Sequence, residues 1–262
     1  MRPALAWLMP GTVGLGRAAR LYERNLRVAR RTWVAMATGF FEPVFYLVGL
    51  GFGVGALVGD VGGLPYAVFV APALMATSAM NGALYDATFN MFFKLRYAKT
   101  YDAVLSTPLG PADIAAAEVA WALTRGLFYA IGFAVLIVLL GLALSPLVVL
   151  AVPAAILIGF ATAGIGTAAT TFMRRWQDFD LITVVTLPLF LFSATFFPLD
   201  VYPEPLRTVV EWTPLYRGTH LIRGLTTGTV DATALVDIVY LLALGSAGLA
   251  VTSRRLGRLL RK

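Results

Sequence analysis

The sequence predicts an all-α polytopic membrane protein. Six transmembrane helices are expected, with an N-terminal interfacial amphipathic helix and an outer re-entrant helical hairpin between the fifth and sixth spans. Three observations predict it. Hydrophobic side chains make up 59% of the 262 residues and charged ones 13%, where soluble domains carry roughly a quarter charged. Apolar stretches recur that are long enough to cross ~30 Å of hydrocarbon at ~1.5 Å per residue. Basic residues gather in alternate connections, as the positive-inside rule requires of a chain that threads a bilayer repeatedly.

The chain divides into an interfacial segment (1–33), a transmembrane domain (34–252) and a basic tail (253–262). Within the first, residues 15–33 read as an amphipathic helix. Leu15, Ala18, Ala19, Tyr22, Leu26, Ala29 and Trp33 recur at three-to-four spacing, and Arg17, Arg20, Arg24, Arg27 and Arg31 fall on the other side. Such a helix suits the headgroup layer of an anionic leaflet; the alternative is plain positive flanking of the first span. Met1–Pro10 has no small-residue cleavage pattern, so no cleavable signal peptide is expected.

The expected spans are about 34–58, 66–91, 114–144, 147–173, 181–197 and 232–252. The first holds Glu42 beside Pro43. An ionised group at such depth costs about 2.5–3.5 kcal/mol on insertion scales, so Glu42 should face protein or water, as a pathway residue or as a buried structural one. Gly49/Gly53 and Gly51/Gly55 predict a close helix approach. Asp60–Pro65 is a short turn. After the second span, Thr100–Ser106 reads as a short helix ended by Thr107-Pro108, and Asp113 as a cap for the third. Glu118 and Arg125 share a face of that third span, seven residues apart. Gly159, Ala163 and Thr167 form a small-residue stripe in the fourth.

Ser193–Leu225 is neither a span nor an ordinary loop. Pro198, Pro203 and Pro205 stop one helix and start another. Two short helical patterns follow, about 206–212 and 216–225, split by Thr213-Pro214, and each is too short to cross a bilayer. Arg207, Arg217 and Arg223 stand there among Asp200, Glu204 and Glu211.

Six spans put both termini on one side. Of 21 Lys and Arg residues, only Arg125, Arg207, Arg217 and Arg223 lie outside the segments of that side. Both termini are therefore expected in the cytoplasm, with 198–231 outside. The net charge of +7 is explained by topology, so no nucleic-acid partner is implied. Without cysteine there is no disulfide or thiolate metal site, and a single histidine, His220, leaves no metal set to complete.

Three stretches resemble the ABC-2-type exporter permeases, most closely the nodulation-factor-exporter and daunorubicin-resistance branch. They are Phe41-Glu42-Pro43 with Gly49-Leu50-Gly51-Phe52-Gly53, Lys99–Leu109 with Asp113 and Glu118–Arg125, and Phe196-Phe197-Pro198 through Arg223. Ala117 departs from the pattern, where that branch is expected to carry glycine before the glutamate. The resemblance implies a permease that pairs with a second copy or a paralogue in the bacterial-type cytoplasmic membrane and docks two separate ATP-binding cassette subunits. Thr100, Tyr101, Asp102, Ala103, Val104, Leu105 and Ser106 would form the coupling helix in the ATPase, and 15–33 the interfacial helix. Glu42, Glu118 and Arg125 would be pathway candidates, and Phe196, Phe197, Pro198, Pro214, Arg217 and Arg223 an outer gate. The cargo would be amphipathic or lipidic: drug, polyketide, glycolipid or lipo-oligosaccharide.

ATP and magnesium would bind the partner. A phosphate loop needs Gly-Lys, and the three lysines follow Phe93, Ala98 and Arg261. Two other classes remain as alternatives. Asp178-Phe179-Asp180 reads either as a D-x-D that would hold a divalent cation in a lipid-linked glycosyl transferase or as acids favoured by the dipole at a helix start, and Glu42, Asp86 or Glu118 would serve a proton-coupled secondary transporter.

Overall fold

A computed structural model describes residues 14–29 and 33–260, with Leu15 and residues 33–38 described by backbone alone. Arg31 and the Trp33 side chain thus lie outside the described residues. The elements in order are α1 (Leu15–Ala29) and α2 (Trp33–Tyr46, carried on by a π-helical Leu47–Val54 and a last turn to Val58). A two-residue antiparallel ladder follows, β1 (Asp60–Val61) on β2 (Leu64–Pro65). Next come α3 (Tyr66–Tyr85, extended by π-helical Asp86–Asn90 and Phe93–Tyr97), α4 (Thr100–Leu105), α5 (Pro111–Leu139) and α6 (Val148–Thr170). The chain ends with α7 (Phe179–Phe192), α8 (Glu204–Glu211), α9 (Pro214–Thr227) and α10 (Thr233–Leu259).

The helix that organises the bundle is α3. Of its most apolar stretch, 89% of residues are buried, enclosed by α5, α6 and α9. Leu74 and Met75 of α3 pack with Phe133 of α5, Ile158 of α6 and Leu215 and Ile222 of α9, all fully buried in one cluster. The tightest crossing joins α6 to α10. A methyl on Gly248 would overlap the Gly164 backbone, and one on Gly245 would meet the Phe160 ring. Only glycine lets two backbones approach so closely, and Thr167 then bonds Thr252 across the seam at 3.0 Å.

Among the described residues, five helices are long and apolar enough to cross a membrane: 39–58, 66–97, 111–139, 148–170 and 233–259. The fifth expected span differs. Its helix, α7, ends at Phe192 rather than 197, and 14 residues cover about 21 Å. Ser193, Ala194, Thr195 and Phe196 instead form a buried turn with Ala194 at φ 52°. The last helix runs to Leu259, so Arg254, Arg255 and Arg258 ride on its final turns rather than on a loose tail. The third stops at Leu139, where Gly141 (φ 68°) opens a loop whose Leu144 and Ser145 N–H groups bond Thr226 O at 2.9 and 3.0 Å.

The first-span glycines behave differently from expectation. Gly51 and Gly55 approach Ala67 and Tyr66, but Gly49 and Gly53 face open space. The most apolar stretch of α2 is only 17% buried, and α7 buries Phe179 alone. Both helices leave apolar faces uncovered by this chain.

Candidate functional site

The basic end of the bundle is built on α5. Gly110 and Pro111 start the helix, and Asp113 caps it by accepting Gly110 N–H at 3.0 Å. The same carboxylate accepts Gly14 N–H at 2.7 Å and Arg17 Nε at 2.9 Å, which docks α1 on the start of α5. Arg17 is therefore an ion-pair residue rather than a headgroup contact alone, while Arg20, Arg24 and Arg27 are exposed. The inward face of α1 is Leu21, Asn25 and Ala29, flanked by Ala18 and Tyr22; Ala19 is exposed. A polar Asn25 on that face was not anticipated. It sits there because Lys94 and Glu118 complete its hydrogen bonds, at 3.2 and 3.4 Å.

Glu118 and Arg125 do not lean toward one another. Each takes a partner from α3: Lys94 Nζ meets Glu118 Oε2 at 2.8 Å, and Arg125 Nε meets Asp86 Oδ2 at 2.8 Å. Asn90 adds a bond to Asp86 at 2.9 Å. The three α3 groups sit on its two π-helical stretches, whose wider turn re-aims successive side chains. These buried charges are neutralised in pairs, as such groups must be in a low-dielectric interior. Asp86, Lys94 and Arg125 border a cavity of about 380 Å³ between α1, α3 and α5, lined also by Asn25, Tyr85 and Trp121, with Glu118 behind Lys94. Arg125 also lies over the Tyr85 ring at 4.7 Å.

A left-handed Lys99 (φ 46°) turns the chain into α4. Tyr101 is fully buried among Leu21 of α1, Met91 of α3, Ile114 of α5 and Leu256 of α10. Burial first, then the charge of Glu118, pushes its phenol well above the usual range, so it remains an O–H beside that carboxylate. Asp102, Ala103 and Ser106 are exposed, Thr100, Val104 and Leu105 half-buried. The element is a short helix rooted among four others, with its tip exposed.

A second cavity of about 450 Å³ lies between α3, α6 and α7, lined by apolar groups such as Met80, Leu84, Ile165, Leu181 and Val185. Between the two cavities Phe89 stacks on Phe179 with centroids 4.1 Å apart, and Trp176 closes on both rings. The D-x-D pair stands at this turn. Asp178 Oδ2 accepts the backbone N–H groups of Arg174 and Arg175 at 2.6 and 3.0 Å, which holds its carboxyl below the usual range. Asp178 is thus a turn cap, Asp180 is exposed, and no group of three metal-ligating side chains exists among the described residues.

At the opposite end, α8 and α9 form the expected pair of short helices, one starting two residues earlier and the other longer, to Thr227. Pro214 occupies the first turn of α9, Thr213 caps it by accepting Tyr216 N–H at 3.2 Å, and Gly228 at φ 81° ends it. Phe196 is buried and Phe197 exposed; Pro198 is half-buried. Arg223 donates to Phe69 O at 3.1 Å and Ala194 O at 2.9 Å and lies 3.9 Å over the Phe69 ring. Burial lowers its pKa to about 10. Arg217 pairs with Asp237 of α10 at 3.1 Å, and His220 reaches the other oxygen of that carboxylate at 2.7 Å. The acids expected beside these arginines hold only Arg207, through Glu211 at 3.4 Å. Asp237, a carboxylate inside the last membrane-length helix, was the signal missed; an intramembrane acid requires a named partner.

Glu42 is exposed on α2 between Phe41 and Phe45, themselves exposed.

The ABC-2 type transporter family matches residues 18–226. Nodulation protein J of Rhizobium leguminosarum bv. trifolii is 32% identical over 210 residues, 79% of this chain and 80% of that protein. Nodulation protein J of Rhizobium leguminosarum bv. viciae is 30% identical over 244 residues, covering 91% and 94%. The protein of that name from Sinorhizobium fredii is 32% identical over 205 residues, 78% of each. With its apolar, membrane-length helices, the chain belongs to the ABC-2 type transporter family.

Proposed function

We propose that this chain is the transmembrane permease subunit of an ATP-driven exporter, and that it moves an amphipathic or lipidic substrate out of the cytoplasm or the inner leaflet. The observation that carries this reading is α4. Its tip is exposed, and its root, Tyr101, is buried where α1, α3, α5 and α10 converge. A push on that tip reaches four helices and the charge pairs bordering the inner cavity. Two ATP-binding cassette subunits supply the push, ATP and magnesium being theirs. A second permease copy or paralogue covers α2 and α7, which places Glu42 at the central interface and Arg125 on the pathway, with Glu118 held behind it. Exposed Arg20, Arg24 and Arg27 fix α1 in the anionic headgroup layer.

In this reading α7, about 21 Å long, and the turn through Phe197 together make a fifth crossing. Both termini then face the cytoplasm of a bacterial-type cell, and α8–α9 form a re-entrant hairpin that closes the outer end. Phe196, Phe197, Pro198, Pro214, Arg217 and Arg223 are its hinge and anchors. Purification of the tagged chain from native membranes tests the proposal. An ATP-binding cassette protein should accompany it, and the complex should show vanadate-sensitive ATPase activity. A chain that purifies without such a protein, or a complex without that activity, removes the reading.

A further inference from the structure

Asp237 is fully buried in α10, and both of its oxygens are taken by side chains of α9. Arg217 Nη1 lies 3.1 Å from Oδ1 and His220 Nδ1 2.7 Å from Oδ2. The imidazole is the wetter of the two, with 36% of its side chain exposed against 13% for Arg217. With Nδ1–H donated to Asp237, Nε2 is left as the position where a proton arrives or leaves. The carboxylate is already neutralised by Arg217. A proton on Nε2 therefore adds a second cation to one buried anion and turns an imidazole-to-carboxylate hydrogen bond into an ion pair charged at donor and acceptor alike. We propose that Arg217, His220 and Asp237 form an acid-strengthened latch that pins α9 to α10 at the outer end of the bundle, released as His220 loses its proton.

The surroundings leave His220 to decide the charge of this cluster. On its own helix it stacks on Tyr216, at 6.0 Å between ring centroids, and shares α9 with Arg217 and Arg223. Arg223 is committed to the Phe69 and Ala194 carbonyls. From the α10 side come Asp237 and the exposed Asp231. The α6 helix carries no titratable side chain, and the outer half of α3 carries only Tyr66. On α8, Arg207 and Glu211 pair with each other. The hydrogen bond to Asp237 raises the His220 pKa above its ordinary 6.5, against burial, which lowers it. A raised pKa means that the protonated form favours the docked helix. The added hold is complete below the ordinary histidine range and is lost as pH rises through the raised value.

The inference rests on the reading of α8–α9 as the outer end, so the experiment tests the two separately. In the full complex in proteoliposomes, Val209→Cys on exposed α8 reports sidedness, since the protein has no cysteine of its own. Thr219→Cys, at a fully buried α9 position, reports release of the helix. Both are labelled with a membrane-impermeant thiol reagent from outside during ATP turnover at pH 6.0 to 8.5. Rates for Thr219→Cys are divided by those of the same cysteine in a His220→Gln background, which cancels the pH dependence of the thiol. That ratio should fall on the order of fivefold from pH 8.5 to 6.0, as linkage to one shifted histidine allows. With His220→Lys, a permanent cation, it should be low and flat across the range. A ratio that stays flat with His220 present, or His220→Lys labelling as fast as His220→Gln, overturns the latch. Failure of Val209→Cys to react from outside overturns the topology instead.

Discussion

Lys94 Nζ donates to both carboxylate oxygens of Glu118, at 3.0 and 2.8 Å, and Asn25 of α1 joins the same cluster. The pair ties α3 to α5 next to Tyr101, the buried root of α4. It also sets the first expected outcome. Glu118→Ala leaves the Lys94 ammonium buried without its anion, which costs about 3–5 kcal/mol. Lys94→Met with Glu118→Leu removes both charges and should recover most of that loss. Thermal unfolding of the purified subunit in detergent distinguishes them: a large drop in midpoint for the single variant and a small one for the double.

The lever reading of α4 predicts a different phenotype. Asp102 is exposed, so Asp102→Lys should leave folding and insertion unchanged while it disturbs the ATPase contact. Val104→Pro breaks the short helix, where an interior proline costs about 3 kcal/mol. Both variants should reach the membrane and retain ATP hydrolysis but lose transport coupled to it. Transport at the unaltered rate with Val104→Pro removes α4 as the coupling element.

Much of this was legible in the sequence because apolar length and charge bias are local properties. The five long spans, the α8–α9 pair and the Asp113 cap follow from residues close together in the chain. The end of α7 does not. Ser193–Phe196 is as compatible with helix as its neighbours, and the partners that hold it as a buried turn come from α9 and its cap: Arg223 donates to Ala194 O, and Thr213 Oγ1 meets Ser193 Oγ at 3.1 Å. Charge pairing is non-local in the same way. The sequence requires partners for Glu118, Arg125 and Asp237, but α3 supplies the first two through π-helical turns that no periodicity announces. The small-residue stripe of α6 was visible, but its Gly159 faces Leu123 of α5 and Ala83 of α3; the close approach to α10 is made by Gly164 against Gly245 and Gly248, glycines that have no signal until a second backbone lies on them.

That seam yields a paired prediction. Gly248→Ala drives a methyl into the Gly164 backbone, and relief requires α6 and α10 to separate. Overpacking of this kind costs about 1–3 kcal/mol. Gly53→Ala meets nothing within 4 Å and adds helix propensity worth up to about 1 kcal/mol. Unfolding of the detergent-solubilised subunit should therefore shift down for the first and stay level or rise for the second. Equal shifts would contradict the α6–α10 packing.

Glu42 gives the last prediction. It is exposed between Phe41 and Phe45 on a helix that this chain barely covers. A carboxylate left against lipid costs about 2.5–3.5 kcal/mol at mid-bilayer depth. In the proposed assembly, a second permease at this face resolves the cost by giving the group protein or water instead of hydrocarbon. Glu42→Gln should then preserve folding and assembly, whereas Glu42→Leu should weaken assembly or transport. Glu42→Cys makes the sharper measurement, since it introduces the sole thiol. In the assembled complex that thiol should react with an aqueous reagent or cross-link to the neighbouring copy, and should be shielded from a lipid-phase probe. Strong lipid-phase labelling with no aqueous reaction would place Glu42 against the bilayer and move the interface to another helix.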